Sequence, residues 1–281
     1  MKGGRGRTLT GGRSAAEMAF DIAKYTRTSR GVQWDDLPLE EFRRHPLPAD
    51  TLRSLRYMCD VEYHTVCYLR DMLVTPSHKD PAVTAFMTMW NMEEFWHGEA
   101  LAAVLAMHDV RIDYDALKAV RLKRGWRERF DPIKQSMLAN LVGEDFVAVH
   151  MSWGAANEWS AITAYNRLAE LQDHPILAPL LERIAKQEAR HVAFYATQAR
   201  ERLARSRKAQ KLARFALRKF WGPVGSGVMA ESEVRHVLGH LMSGPDGRRA
   251  ARTIDDHLRR LPGLDGLRIV EDALDARGIP A

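Results

Sequence analysis

The sequence predicts an all-α protein, a four-helix bundle with additional short C-terminal helices. Three observations carry that expectation. From about residue 14 to about residue 205 the pattern is helical, with few alternating β-branched runs. Thr75-Pro76-Ser77 and Asp173-His174-Pro175 interrupt it as short turns, and short connections make antiparallel neighbours. Beyond residue 205, Gly222-Pro223, Gly244-Pro245 and Pro262-Gly263 divide the chain into pieces that read as short helices beside the bundle.

Taken in order, the first long helix is expected from about Ala49 to Val74. The second starts near Pro81, a residue favoured in a first turn, and runs to about His108. Tyr114 to Phe130 is shorter and strongly charged. Asp131-Pro132 opens a pattern continuing to about Gln172, and the last long segment runs from about Pro175 to Arg205. The expected organisation is a flexible basic N-terminal segment over 1–30, a bundle over 31–205, and a helical extension over 206–281.

A hydrophobic share of 46% and a charged share of 28% place the 281 residues among ordinary globular chains. No apolar run approaches the roughly 18 residues of a membrane-spanning helix. The start, MKGGRGRTLTGGR, lacks the apolar stretch a secretory signal requires, so a cytoplasmic location is expected. Cys59 and Cys67 are expected to be buried small hydrophobes; on one helix they stand about 12 Å apart, too far to bridge. No Cys-x-x-Cys pattern occurs, which excludes zinc ribbons and iron–sulfur clusters.

The chemistry lies in two Glu-x-x-His motifs, Glu94-Phe95-Trp96-His97 and Glu188-Ala189-Arg190-His191. Residues three apart on a helix share a face, so a carboxylate and an imidazole can reach one metal together. One such tetrapeptide arises readily by chance in a charged helical chain. Two further glutamates decide the matter. Glu62 lies 12 residues before the break at Val74 and Glu94 lies 13 after Pro81, so both sit roughly 18–20 Å from the same turn. Glu158 and Glu188 stand 14 and 13 residues from the ends of the second turn, at Gln172 and Pro175. Each hairpin therefore sets a Glu level with a Glu-x-x-His, and two facing hairpins gather four carboxylates and two imidazoles. Glutamates on apolar stripes are costly to bury unless paired or metal-bound, and Met58, Cys59 and Val66 flank Glu62 while Met87, Trp90 and Leu101 flank Glu94. The metal ligands expected are Glu62, Glu94, His97, Glu158, Glu188 and His191, with no further catalytic residue assigned. Glu93 has Trp96 three residues on and is not a ligand of that motif. His108 reads as a helix-end residue, and His236 and His240 as solvated or packing residues.

This ligand set is that of the ferritin-like dimetal carboxylate bundles. Glu93-Glu94-Phe95-Trp96-His97-Gly98-Glu99 resembles the Glu-Glu-x-x-His-Gly-acidic run of the soluble acyl-carrier-protein desaturases and their bacterial relatives, and Glu188-Ala189-Arg190-His191 resembles their second motif. The resemblance covers about residues 50 to 205. It implies two iron ions, with a mixed manganese/iron pair as the alternative, that activate dioxygen to oxidise an unactivated C–H bond. Glu94 and Glu188 would bridge, Glu62 and Glu158 would be terminal, and His97 and His191 would supply one nitrogen each. An external electron donor such as a ferredoxin, an acyl carrier protein and a homodimer are the implied partners. Three positions depart from the family pattern: Gln187 replaces an Asp that partners a histidine, Trp96 replaces an Arg, and Ala161 replaces a threonine near the oxygen site. A ribonucleotide reductase radical subunit would carry Tyr where Leu101 stands, and an arylamine N-oxygenase would carry His at Ile184. Iron storage suits a chain nearer the bundle's own length. A noncatalytic ligand-binding protein is the reading from another class, and an intact ligand set argues against it.

The net charge of +6 is concentrated at the start and between Arg200 and Lys219. In that segment Leu203, Leu212, Phe215, Leu217, Phe220 and Trp221 supply an apolar side. Docking of an acidic carrier protein or an anionic membrane surface is expected there, with a solvated helix face as the alternative. No recognised nucleic-acid module accompanies the charge.

Overall fold

The computed structural model describes residues 20–115, 118 and 127–281. Within them the protein is all-α, with ten helices and no strand. Four long helices form the bundle: α2 (Ala49–Met72), α3 (Pro81–Ala106), α5 (Asp145–Gln172) and α6 (Leu177–Arg205). A short α1 (Ile22–Thr28) precedes them, and α4 (Arg127–Val142) lies between the hairpins. Four helices follow: α7 (Arg207–Phe220), α8 (Glu231–Met242), α9 (Gly244–Arg259) and α10 (Ile269–Ala276).

Local chemistry sets the ends. Thr75 and Pro76 turn the chain through a 3₁₀ turn over Pro76–Lys79, and the Asp80 carboxylate then caps α3 by accepting from Ala82 N (2.9 Å) and Val83 N (3.1 Å). Pro81 occupies the first turn, where its missing N–H costs nothing. Asp173 closes α5 in a left-handed conformation (φ +40°), and α6 begins three residues after His174. Ser206 ends α6 and caps α7, its hydroxyl accepting from Ala209 N at 3.1 Å.

Three expectations change. The single helix expected from Asp131 to Gln172 is two, because Gly143 takes φ +76°, a conformation open to glycine and unsuited to helix. Residues 20–30, assigned to the flexible N-terminal segment, contain α1, capped by Asp21 and anchored by the buried Tyr25. Residues 1–19, and the charged stretch over 116–117 and 119–126, lie outside the described residues. Val66, placed on the buried stripe of Glu62, is 43% exposed and shares a surface cleft with Leu69 and Phe95.

The bundle consists of two antiparallel hairpins, α2–α3 and α5–α6, facing each other. α7 and α9 lie on α5, and α8 lies on α2. One apolar core runs continuously from Tyr25 to Ile279. On α7 the buried stripe is Ala209, Ala213 and Leu217, whose small size lets it lie close to α5. Phe215 and Phe220, read as part of its apolar side, are 58% and 64% exposed and touch each other at the surface. Among the described residues no helix is long and apolar enough to cross a membrane.

Candidate metal centre

The structure brings all six expected ligands together at mid-height of the bundle, and every one is buried. They form two overlapping groups. Glu62, Glu94, His97 and Glu188 make one, and Glu94, Glu158, Glu188 and His191 the other; within each, one ligand atom per residue lies within 4.8 Å of the rest. Glu94 and Glu188 belong to both. His97 Nδ1 stands 3.4 Å from Glu94 and 3.3 Å from Glu188. His191 Nδ1 stands 3.1 Å from Glu94, 3.7 Å from Glu158 and 2.9 Å from Glu188.

The buried Glu and His groups could hold a metal ion. His97 Nδ1 and Glu188 Oε1 are buried without a hydrogen-bond partner, inside the cluster. Leaving such atoms bare costs free energy that a bound ion would recover. The donors are four carboxylates and two imidazoles, a set that suits iron or manganese and excludes soft thiolate chemistry.

Protonation of the metal-free cluster follows the same geometry. Burial alone would raise Glu94, but contacts with Glu62, His191 and His97 hold it well below the usual carboxylate range. Burial likewise opposes ionisation of Glu188, and repulsion from Glu94 adds to that; His191 and His97 outweigh both and lower it. Glu62 and Glu158 go the other way, raised first by burial and then by their charged neighbours Glu94 and Glu188. Burial disfavours the His97 imidazolium, yet Glu188 and Glu94 overcome this and lift it to about 10. His191 is also raised: burial opposes its charge, and Tyr25, Glu158, Glu188 and Glu93 more than compensate. Metal binding at these groups therefore competes with protons.

The second ring of contacts is built crosswise. Glu93 and Gln187 each immediately precede a motif glutamate, and each serves the other motif's histidine. His191 Nε2 lies 2.8 Å from Glu93 Oε2, and His97 Nε2 lies 2.9 Å from Gln187 Oε1. The Gln187 amide donates its N–H to the Arg30 carbonyl (3.0 Å), which orients its oxygen toward His97. Both histidines are thereby turned to offer Nδ1 to the centre. The outer glutamates are held in the same crosswise manner: Tyr165 donates its hydroxyl to Glu62, and Trp90 Nε1 donates to Glu158 at 3.0 Å.

Sequence reasoning passed over Tyr25 and the role of Glu93. The Tyr25 hydroxyl donates to Glu93 Oε2 at 2.8 Å, and Arg190 lies over the Tyr25 ring at 4.7 Å while standing 3.5 Å from Glu93 Oε1. Trp96 packs against Gly31 and Trp34. A Cβ at Gly31 would sit 2.6 Å from the indole, so only glycine lets the N-terminal segment pass this close. A helix-start signal was present at Asp21, with Ile22 and Tyr25 one turn apart.

The two sides of the centre differ. Residues 20–34 seal the histidine side. On the carboxylate side Glu62, Glu94 and Glu158 line a cavity of about 220 Å³ roofed by residues 224–229. Glu62 also closes one end of a second, almost wholly apolar chamber of about 90 Å³, walled by Leu238, Leu241, Ile254 and Leu274 from the C-terminal helices. Val61, Ala161 and Val224 line both.

His108 and His240 pair elsewhere. His108 Nε2 accepts from Leu47 N at 3.1 Å, and His240 Nδ1 pairs with Ser54 Oγ at 2.7 Å. Cys59 is buried and Cys67 half-buried, both without a disulfide. Comparison of the chain with family models, curated proteins and solved structures finds no match.

Proposed function

We propose that this protein is a ferritin-like diiron oxidoreductase that activates dioxygen and oxidises a C–H bond of an acyl-type substrate. The observation that carries the reading is the sharing of Glu94 and Glu188 between two otherwise separate four-ligand groups. Two cations would be held there by Glu94 and Glu188 in common, one with Glu62 and His97 and the other with Glu158 and His191. A reduced iron pair supplies the electrons for dioxygen chemistry that no side chain can provide.

The chain's own residues supply the rest. Glu93 and Gln187 orient His191 and His97, while Tyr165 and Trp90 position Glu62 and Glu158. The chamber beside Glu62 is almost wholly apolar and suits hydrocarbon. Hydroxylation balances as R–H plus dioxygen, two electrons and two protons giving R–OH and water. Desaturation consumes the same reductant and gives an alkene and two waters. An external one-electron donor, such as a ferredoxin, is needed in either case. Ala161 brings no hydroxyl to the cavity it lines.

The deciding experiment is metal analysis of anaerobically reconstituted protein, followed by dioxygen exposure with candidate acyl substrates. Two irons per chain and substrate-dependent dioxygen consumption are expected. A stoichiometry well away from two would sink the reading, and a loaded site that consumes no dioxygen would favour a binding protein.

A further inference from the structure

A third void lies on the C-terminal helices. It is an open cleft of about 500 Å³ between α7 and the start of α10, and Arg214, Arg218, Arg268 and Arg277 line it against the single acid Asp272. Two of these arginines are committed elsewhere. Arg277 pairs with Glu231 at 2.7 Å, and Arg268 with Glu271 at 3.3 Å. Arg214 and Arg218, one turn apart on α7, have no carboxylate partner among the described residues; Arg214 is steadied by the Asp265 carbonyl.

This cleft backs directly onto the apolar chamber. Trp221, Pro223 and Ala273 line both, so cleft and chamber adjoin along these residues. The Trp221 indole is tethered to Asn157 Oδ1 at 3.1 Å, and Asn157 immediately precedes Glu158. Cleft, chamber and metal-facing cavity therefore follow one another around the segment 221–224.

From this arrangement we infer that the cleft is the head-group site for an amphipathic small molecule with an anionic head and an aliphatic tail. Two guanidinium groups without a carboxylate partner suit a carboxylate or a phosphate monoester, which they can hold through their free N–H donors. The chamber behind them offers a polar ligand almost nothing, so the part that enters must be hydrocarbon. The tail passes Trp221 and Pro223 and reaches Glu62. That binding stands without the metal; only the fate of the tail rests on the diiron reading.

The test is equilibrium binding of cis-parinaric acid to the full-length, metal-free protein by fluorescence, with displacement by dodecanoate, dodecyl phosphate and dodecanol. Saturable binding is expected, with at least one acidic competitor about tenfold or more stronger than the alcohol. The relative strength of dodecanoate and dodecyl phosphate tells carboxylate from phosphate recognition. In R214A/R218A, both surface changes, the preference for acid over alcohol should vanish while dodecanol still competes. Ala273→Phe, which narrows the boundary where cleft and chamber adjoin, should weaken all three. Absence of saturable binding, or an acid preference that survives loss of both arginines, overturns the proposal. Iron content is measured separately. Two irons without parinarate binding would leave the metal reading standing and this one not, and the reverse result would do the opposite.

Discussion

In the α2–α3 hairpin, Glu62 and His97 are held by Tyr165 and by the Gln187 amide. In the α5–α6 hairpin, Glu158 and His191 are held by Trp90 and by the Glu93 carboxylate. Support always comes from the opposite hairpin, so neither half is organised without the other. The difference is one of charge. A carboxylate facing an imidazole N–H makes it a stronger donor than an amide does, and Glu93 is itself held by Tyr25 and Arg190. The position beside Glu158 and His191 is therefore the more electron-rich of the two, although the directly facing ligands are the same in kind.

The largest test of this comparison removes what the halves share. Glu188→Ala takes a carboxylate from both groups, and stable binding of both ions should be lost. Glu62→Ala touches one group and should spare the ion held by Glu158 and His191. Metal content after gel filtration distinguishes them, and equal losses would mean the halves are not separable. Next in size is the charge difference. Glu93→Gln should weaken metal binding about 10–100-fold and bring the two positions closer together in affinity, whereas Gln187→Glu should strengthen the His97 position. Stepwise titration with cobalt(II), followed by absorption, reads both; an unchanged titration in Glu93→Gln would remove the asymmetry.

A smaller effect is expected from the donors to the outer glutamates. Tyr165→Phe and Trp90→Phe each remove the aromatic donor to a buried carboxyl group, at a cost of about 1–3 kcal/mol read by urea unfolding of metal-free protein. His150 provides a contrast. It is as buried as His97 but faces the Ser77 hydroxyl at 2.7 Å in place of carboxylates. Burial, with Arg202 adding to it, depresses its pKa to about 3 from an ordinary 6.5. The unfolded chain therefore binds the extra proton first. Stability supported by neutral His150 is complete above about pH 6.5 and is lost as pH falls toward 3, by up to about 1.4 kcal/mol per pH unit. In His150→Asn that part of the slope should disappear from unfolding curves taken between pH 7 and 5.

The clustering of the six residues was readable in the sequence because helix geometry is local. Three-residue spacing puts Glu94 with His97 and Glu188 with His191, and counting from each turn sets the other two glutamates level with them. Glu93 was set aside because Trp96 follows it by three, a test that asks only about its own helix. Its partner is His191, 98 residues away, and Tyr25 reaches it across 68. Gln187 looked like a lost histidine partner, and the amide nevertheless accepts from His97 once Arg30 has oriented it. Adjacency to the motif glutamates was the one sequence signal these two residues share.

By itself, then, the sequence determined the helices, their turns and the inward row of ligands, since each depends on residues within a few turns of one another. Which hairpin supports which, where the N-terminal segment seals the histidines, and how the last helices wall a chamber onto Glu62 were decided only by tertiary packing. Those contacts join distant residues through shape and burial, and no local periodicity records them.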